Sequence, residues 1–305
     1  MRVVFMGTSD FALPSLRRLH AQHEVVMVYA RPDAVAGRGR HLAPSPVKTL
    51  ASELGLPLAQ PATLRDAGAA DTVAALAPDV IAVAAYGLLL PERVLGAARL
   101  GCLNVHASLL PRWRGAAPIE RAILSGDARA GVSIMLMEES LDTGPFAAQA
   151  SVEVDRKTAE GLTQELARIG ADLLLEVVGT LEAGVIVWTP QEDSGVTYAD
   201  KVSAADVVLR PGMTASEAER RVRASSRRAP ARIVVGERVL TVLEARPSPV
   251  LLEAGHADCR DGLTLGLAEG ALELVTVVPA GRSRMSAAAY ARGAHLPHGC
   301  TWGPA

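Results

Sequence analysis

The hydrophobic positions of this chain switch repeatedly between the period of a strand and the period of a helix. Residues 2–6 form an apolar run that predicts a strand buried on both faces, and residues 11–19 place apolar side chains at helical spacing. Between them Gly7-Thr8-Ser9-Asp10 reads as a turn with a capping residue, either a plain connection or one that touches substrate. Residues 25–29 give a second strand, 46–54 a helix, 56–59 a short strand, 65–76 a helix and 79–84 a fully apolar strand. Residues 101–105 repeat the strand pattern, 119–124 read as helix, 131–137 as a strand and 146–154 as an edge strand. Residues 158–181 then carry Leu162, Leu166, Ile169, Leu173, Leu174 and Val177 on one helical face. Strands alternating with helices predict an α/β fold with a doubly wound, mostly parallel, Rossmann-type sheet.

Past residue 184 the pattern changes. Residues 185–204, with Pro190, Gln191, Asp193 and Gly195, read as a linker that wraps back. A helix is expected over 214–228, with Thr214 as its cap and Glu217 closing a capping box. Short β-rich segments follow at 231–235, 238–245, 262–267 and 271–279, and a closing helix at 286–293. That spacing predicts a small OB-like β-barrel, a fold that commonly binds oligonucleotides. The expected organisation is a catalytic domain over 1–184, a linker over 185–204 and a barrel domain over 205–305.

Composition narrows the class only a little. Thirty-one basic against 33 acidic side chains leave a formal charge of −2, so any nucleic-acid surface has to be local. Two such places exist. Residues 30–48 hold Arg31, Arg38, Arg40 and Lys48 against the single acid Asp33, in a stretch rich in Gly and Pro. Residues 206–232 hold seven arginines against three acids. The 3 cysteines are far apart and odd in number, which argues against a disulfide framework or a zinc cluster and fits a reducing cytoplasm. The histidines outside the central stretch show no ligand spacing, so no metal is expected. The amino terminus reads as a first strand, and no apolar window reaches the ~20 residues a membrane span needs.

The chemistry concentrates in residues 101–118. Asn104 and His106, two apart on an apolar strand, point to the same side, and a buried strand has no packing use for such a pair. A proline-stopped loop, Ser108-Leu109-Leu110-Pro111, follows, and then a basic turn ending at Gly115. Ligands in open α/β sheets bind at the carboxyl ends of strands. Tyr86-Gly87-Leu88 stands at another strand end, where Tyr86 either caps the core or faces a ligand. Ser108 sits outside the G-x-S-x-G setting of a serine hydrolase.

Asn104-Val105-His106, Ser108-Leu109-Leu110-Pro111 and Arg114-Gly115 together resemble the signature of the folate-dependent formyltransferases. GTSDFA resembles that family's first turn, with serine in place of proline, and GVSIMLMEESLDTGP resembles the segment that supplies its catalytic aspartate. The resemblance implies a formyl group carried by 10-formyltetrahydrofolate and delivered to an amine. It implies Asn104 and His106 as oxyanion donors, Asp142 as the third catalytic group, and Glu138 and Glu139 as surface charges. The folate is expected against Tyr86, Gly87, Leu88 and the Ser108, Leu109, Leu110, Pro111 loop.

The family's basic insertion enters a tRNA acceptor stem. This implies methionyl initiator tRNA as the amine substrate, held by Arg38, Arg40 and Lys48; the arginine run of the second domain, with Arg220 and Arg223, is expected to give a second phosphate contact, and the protein is expected to be a soluble monomer. An enzyme for a small-molecule amine is the alternative, and a non-catalytic RNA-binding protein a more distant one. One departure lies in the second domain: Ser225-Ser226-Arg227-Arg228-Ala229-Pro230-Ala231 replaces the family's N-P-W-P-G-A-like turn.

Overall fold

A computed structural model describes residues 1–36, 41–297 and 300–305. The expectation for Arg38 and Arg40 lies outside the described residues. From the amino end the chain forms β1 (Arg2–Gly7), a short 3-10 turn (Asp10–Ala12), α1 (Leu13–Gln22), β2 (Glu24–Tyr29), β3 (Ala34–Ala36), β4 (His41–Ala43), α2 (Pro46–Glu53) and β5 (Leu58–Ala59). Next come α3 (Ala67–Ala75), β6 (Val80–Ala84), α4 (Glu92–Leu95), β7 (Cys102–His106), β8 (Arg114–Gly115) and α5 (Pro118–Ser125). β9 (Arg129–Leu136), β10 (Phe146–Glu153), α6 (Ala159–Glu182) and β11 (Tyr198–Ala199) follow. Two compact units result. One holds Met1–Pro118, Ala130–Glu153 and Thr163–Ala199; the other holds Ile119–Arg129, Val154–Leu162 and Asp200–Ala305.

In the first unit the described residues build a seven-stranded sheet in the order β10-β9-β7-β6-β1-β2-β5. β1 is buried at every position after Arg2, and β6 along its whole length. Strands with no polar face to give to water take the middle of a sheet covered on both sides, and β1 and β6 pair there. β1 also pairs parallel with β2, β2 with β5, and β6 with β7, whereas β9 runs antiparallel to β7. The α/β sheet is thus mostly parallel. α1 seats Leu16 and Leu19 on it with no exposure, each worth about 2 kcal/mol by burial.

β1 lies between β2 and β6, so the crossovers leave it in opposite directions, and in such sheets the carboxyl ends of the strands are where a ligand binds. The turns there are tied together. Thr8 Oγ1 donates to the Tyr86 carbonyl at 2.8 Å and accepts from the Arg31 N–H at 3.4 Å. The stretch 30–48, read as a long loop, contains the antiparallel pair β3 and β4. These three-residue strands are too short to stand out as a period.

The second unit is the barrel-like part. After a 3-10 turn (Ala204–Val207) come α7 (Ala215–Ala224), β12 (Arg232–Val235), β13 (Arg238–Ser248), β14 (Ala257–Asp258), β15 (Leu263–Gly266), β16 (Ala271–Pro279), β17 (Met285–Ser286), α8 (Ala287–Ala294) and β18 (Trp302–Pro304). The strands pair antiparallel in the order β14-β15-β16-β13-β12-β18, with β17 on β16, around a core that includes Ile233, Leu240, Leu265 and Val277. β13 is long enough to curl. Its register with β16 shifts on either side of Glu244, and such bulges bend and twist a strand so that it can serve both ends of a barrel.

α7 stops at Ala224 and not at Arg228. Its capping box forms as expected, with Thr214 Oγ1 accepting from Glu217 N–H, but Ser225 turns extended and the chain heads for Pro230. The strands β14, β17 and β18, each two or three residues long, give no readable alternation in the sequence.

Candidate active site

β7, next to β6 in the sheet, carries Asn104 and His106 toward its carboxyl end. Its neighbours fix the register: Asn104 lies opposite Val83 of β6 and Met135 of β9, and His106 lies opposite Ser133. Cys102, Leu103 and Val105 are buried. Asn104 is half-buried, and among the described residues none hydrogen-bonds its side chain. His106 is 5% exposed, with one ring nitrogen hydrogen-bonded and the other facing a carboxylate. Nε2 lies 3.0 Å from the Trp113 carbonyl, which can only accept, so Nε2 carries the proton. Nδ1 faces Asp142 Oδ2 at 3.7 Å.

Asp142 sits in the left-handed region at φ 52, and Gly144 follows because a Cβ there would overlap the Leu136 carbonyl oxygen. The Asp142 Oδ2 accepts from the Gly115 N–H at 2.8 Å. Gly115 is required too: its φ is 123°, and a Cβ would come within 2.9 Å of the Ala199 oxygen on the parallel β8–β11 pair. Segments far apart in sequence therefore meet around one carboxylate.

The loop after His106 is built from inside. Ser108 is buried, and its hydroxyl donates to the Arg112 carbonyl at 2.6 Å. Ser133 Oγ donates to the Ser108 carbonyl at 2.6 Å and accepts from Leu110 N–H at 3.2 Å and Gln149 Nε2 at 2.9 Å, which uses its full capacity. Gln149 also donates to the Leu110 carbonyl at 2.9 Å. Trp113, at φ 62, donates its N–H to Thr197 Oγ1 at 2.9 Å, which fixes the carbonyl that His106 meets.

Residues 1–178 match the formyl transferase family. The chain is 50% identical to the methionyl-tRNA formyltransferase of Rhizorhabdus wittichii, covering 98% of this chain and 97% of that one. It is 45% identical to the methionyl-tRNA formyltransferase of a Methylobacterium, covering 98% of each. The chain belongs to the formyl transferase family. Among solved structures, HypX from Aquifex aeolicus superposes with a TM-score of 0.67 at 17% identity, covering 98% of this chain; the chain spans about half of HypX, 48%. At that identity the likeness speaks for the fold.

The other residues expected of a formyl transferase site are placed as follows. Tyr86 is 2% exposed, its ring packs in the core with Tyr29 and Leu90, and burial pushes its phenol up to about 12. A ligand at that turn would meet the backbone of Tyr86 and Gly87 and the half-buried Leu88, not the Tyr86 ring. Leu109 and Pro111 are half-buried and Leu110 is buried, and the Ser108 hydroxyl is committed within the loop. Lys48, on α2, pairs with Asp33 at 2.7 Å, and hydrogen bonds from Gln60 and Lys48 hold the Asp33 carboxyl below its ordinary range.

In the second unit Arg220 Nε donates to the Leu124 carbonyl at 3.3 Å. Arg223 is bound to Glu219 at 2.8 Å and to the Lys157 carbonyl at 3.1 Å, with 11% of its side chain exposed, which leaves it little to offer a phosphate. Among the described residues no His, Cys, Asp and Glu group could hold a metal ion, and no helix is long and apolar enough to cross a membrane.

Sequence reasoning missed Ser133, Gln149, Gln191 and Thr197. Ser133 was open to the argument that singled out Asn104, being a polar residue inside an apolar strand. The other three sit in segments without such contrast.

Proposed function

We propose that the protein transfers the formyl group of 10-formyltetrahydrofolate to the α-amino group of methionyl initiator tRNA. The observation that carries this reading is the head-to-tail likeness, second unit included, to relatives named methionyl-tRNA formyltransferase. In this reading the catalytic groups are Asn104, His106 and Asp142. The folate supplies a formyl carbon open to attack by an amine. The Asn104 amide, half-buried and without a protein partner among the described residues, donates a hydrogen bond to the formyl oxygen as it gains negative charge, worth about 3 to 4 kcal/mol of barrier. Asp142 accepts the proton that the amine sheds, directly or through a water, with its carboxylate held by the Gly115 N–H and lying 3.7 Å from His106 Nδ1.

The folate lies along the Tyr86, Gly87 and Leu88 turn and the Ser108 to Pro111 loop. The part of the chain over 205–305 holds the tRNA, joined to the catalytic part over 1–184 by 185–204. The protein works as a monomer in the cytoplasm. An assay with 10-formyltetrahydrofolate compares charged initiator tRNA with free methionine. Formylation of the charged tRNA at least a hundredfold faster is the expected result; equal rates, or transfer to a small amine alone, would assign the protein to small-molecule formylation.

A further inference from the structure

We infer that Gln191, in the segment after α6, is the residue that positions Asp142 for proton removal, an inference that rests on the role of Asp142 proposed above. Gln191 Nε2 donates to the Asp142 carbonyl at 2.8 Å and to the Gly144 carbonyl at 2.7 Å, bracketing Thr143. Its Oε1 accepts two bonds from Arg114, from Nε at 3.0 Å and from Nη2 at 2.8 Å. The guanidinium has only donors, so the amide can face only one way, and its two hydrogens and two lone pairs are all used.

Arg114 precedes Gly115, whose N–H holds the Asp142 carboxylate. The hydrogen bonds close a ring: the Asp142 backbone to Gln191, Gln191 to Arg114, the chain to Gly115, and Gly115 to the Asp142 side chain. That ring accounts for a non-glycine residue held at φ 52, which seldom persists without outside support. It also sets the carboxylate on the Nδ1 side of His106, with 13% of the Asp142 side chain exposed. With its hydrogen-bonding capacity exhausted, Gln191 has none left for substrate and acts through Asp142. A Gln191→Glu side chain would turn a carboxylate oxygen toward two carbonyls, and a Gln191→Leu side chain would let them go.

The test uses the full-length protein with 10-formyltetrahydrofolate and charged initiator tRNA. Gln191→Leu and Gln191→Glu should each lower kcat at least about tenfold while both KM values stay within about threefold. In an Asp142→Asn background, Gln191→Leu should lower kcat by less than about twofold, because the carboxylate it positions is already gone. Full activity of Gln191→Leu overturns the inference, as does a second tenfold loss in the Asp142→Asn background. In both cases a large loss from Asp142→Asn alone leaves the reading of Asp142 standing. Asp142→Asn at the normal rate would remove that reading and this inference with it. Should Gln191→Leu fail to fold, Arg114→Lys keeps the charge and breaks only the two-pronged grip. It should show a smaller kcat loss with the same non-additivity, and a normal rate would overturn the inference.

Discussion

Asn104 and His106 share a strand face but not a condition. The Asn104 amide has no protein partner among the described residues, whereas the His106 ring is tied to Trp113 on one side and faces Asp142 on the other. The two truncations should therefore separate rate from stability. Asn104→Ala should lower kcat at least about a hundredfold and leave the melting temperature unchanged. His106→Ala should lose a similar factor and about 1 kcal/mol of stability besides, because its hydrogen bond to Trp113 is removed. Turnover and thermal melts on the two proteins check this, and a well-folded Asn104→Ala with near-normal kcat would exclude the oxyanion role. Both residues were legible in the sequence because a polar pair on an apolar strand contradicts its surroundings. Gln191 and Thr197 were not, since their partners lie 49 and 84 residues away and nothing local marks them.

Among the elements, the long apolar runs were readable because burial on two faces leaves only one kind of sequence. The ends were less so. Past the end of α7 at Ala224 the chain still offers the helix-favouring Arg227, Arg228 and Ala229, but Ser225 is extended and Pro230 follows. The short 3-10 turn at Ala204–Val207 supplies a prediction of its own. Asp206 Oδ2 takes 2.8 Å and 2.7 Å bonds from the Ser203 N–H and hydroxyl, and its other oxygen meets Arg121 at 2.8 Å. The Ser203 backbone bond is the largest of the causes that hold its carboxyl down to about 2, against 3.8 unperturbed. The folded-state value lies below the unfolded one, so this stabilisation is complete above pH 3.8 and disappears as the pH falls toward 2. Asp206→Asn should cost about 1 to 2 kcal/mol in urea unfolding at pH 7, and the difference from the unaltered protein should shrink by pH 3. A pH-independent difference would mean that the charge is not what holds the turn.

At the scale of the whole molecule a net charge of −2 leaves tRNA affinity to local arginines. In the altered turn the Ser226 N–H donates to the Ala229 carbonyl at 2.9 Å and the Ala229 N–H to Ser226 Oγ at 3.2 Å, while Arg227 and Arg228 stand exposed between them. Removing one cation that neutralises a phosphate lowers the slope of log affinity against log salt by roughly 0.7 to 0.9. Replacing Arg227 and Arg228 by glutamine should flatten the salt dependence of tRNA binding and spare kcat at saturation. Arg223→Ala should leave that slope alone and destabilise the protein by roughly 1 to 3 kcal/mol, because Glu219, with 8% of its side chain exposed, loses its 2.8 Å partner and keeps the 3.5 Å contact to Arg156. Filter binding across a salt series and urea unfolding distinguish the two. The first unit, meanwhile, extends through Ala199, while the family match ends at residue 178. Transfer of the intact first unit has to follow the longer boundary. A graft of residues 1–178 into another protein would carry Asp142 and Trp113 and leave behind Gln191 and Thr197, which bond them, so the unit that stays intact on transfer is longer than the stretch matched to the family.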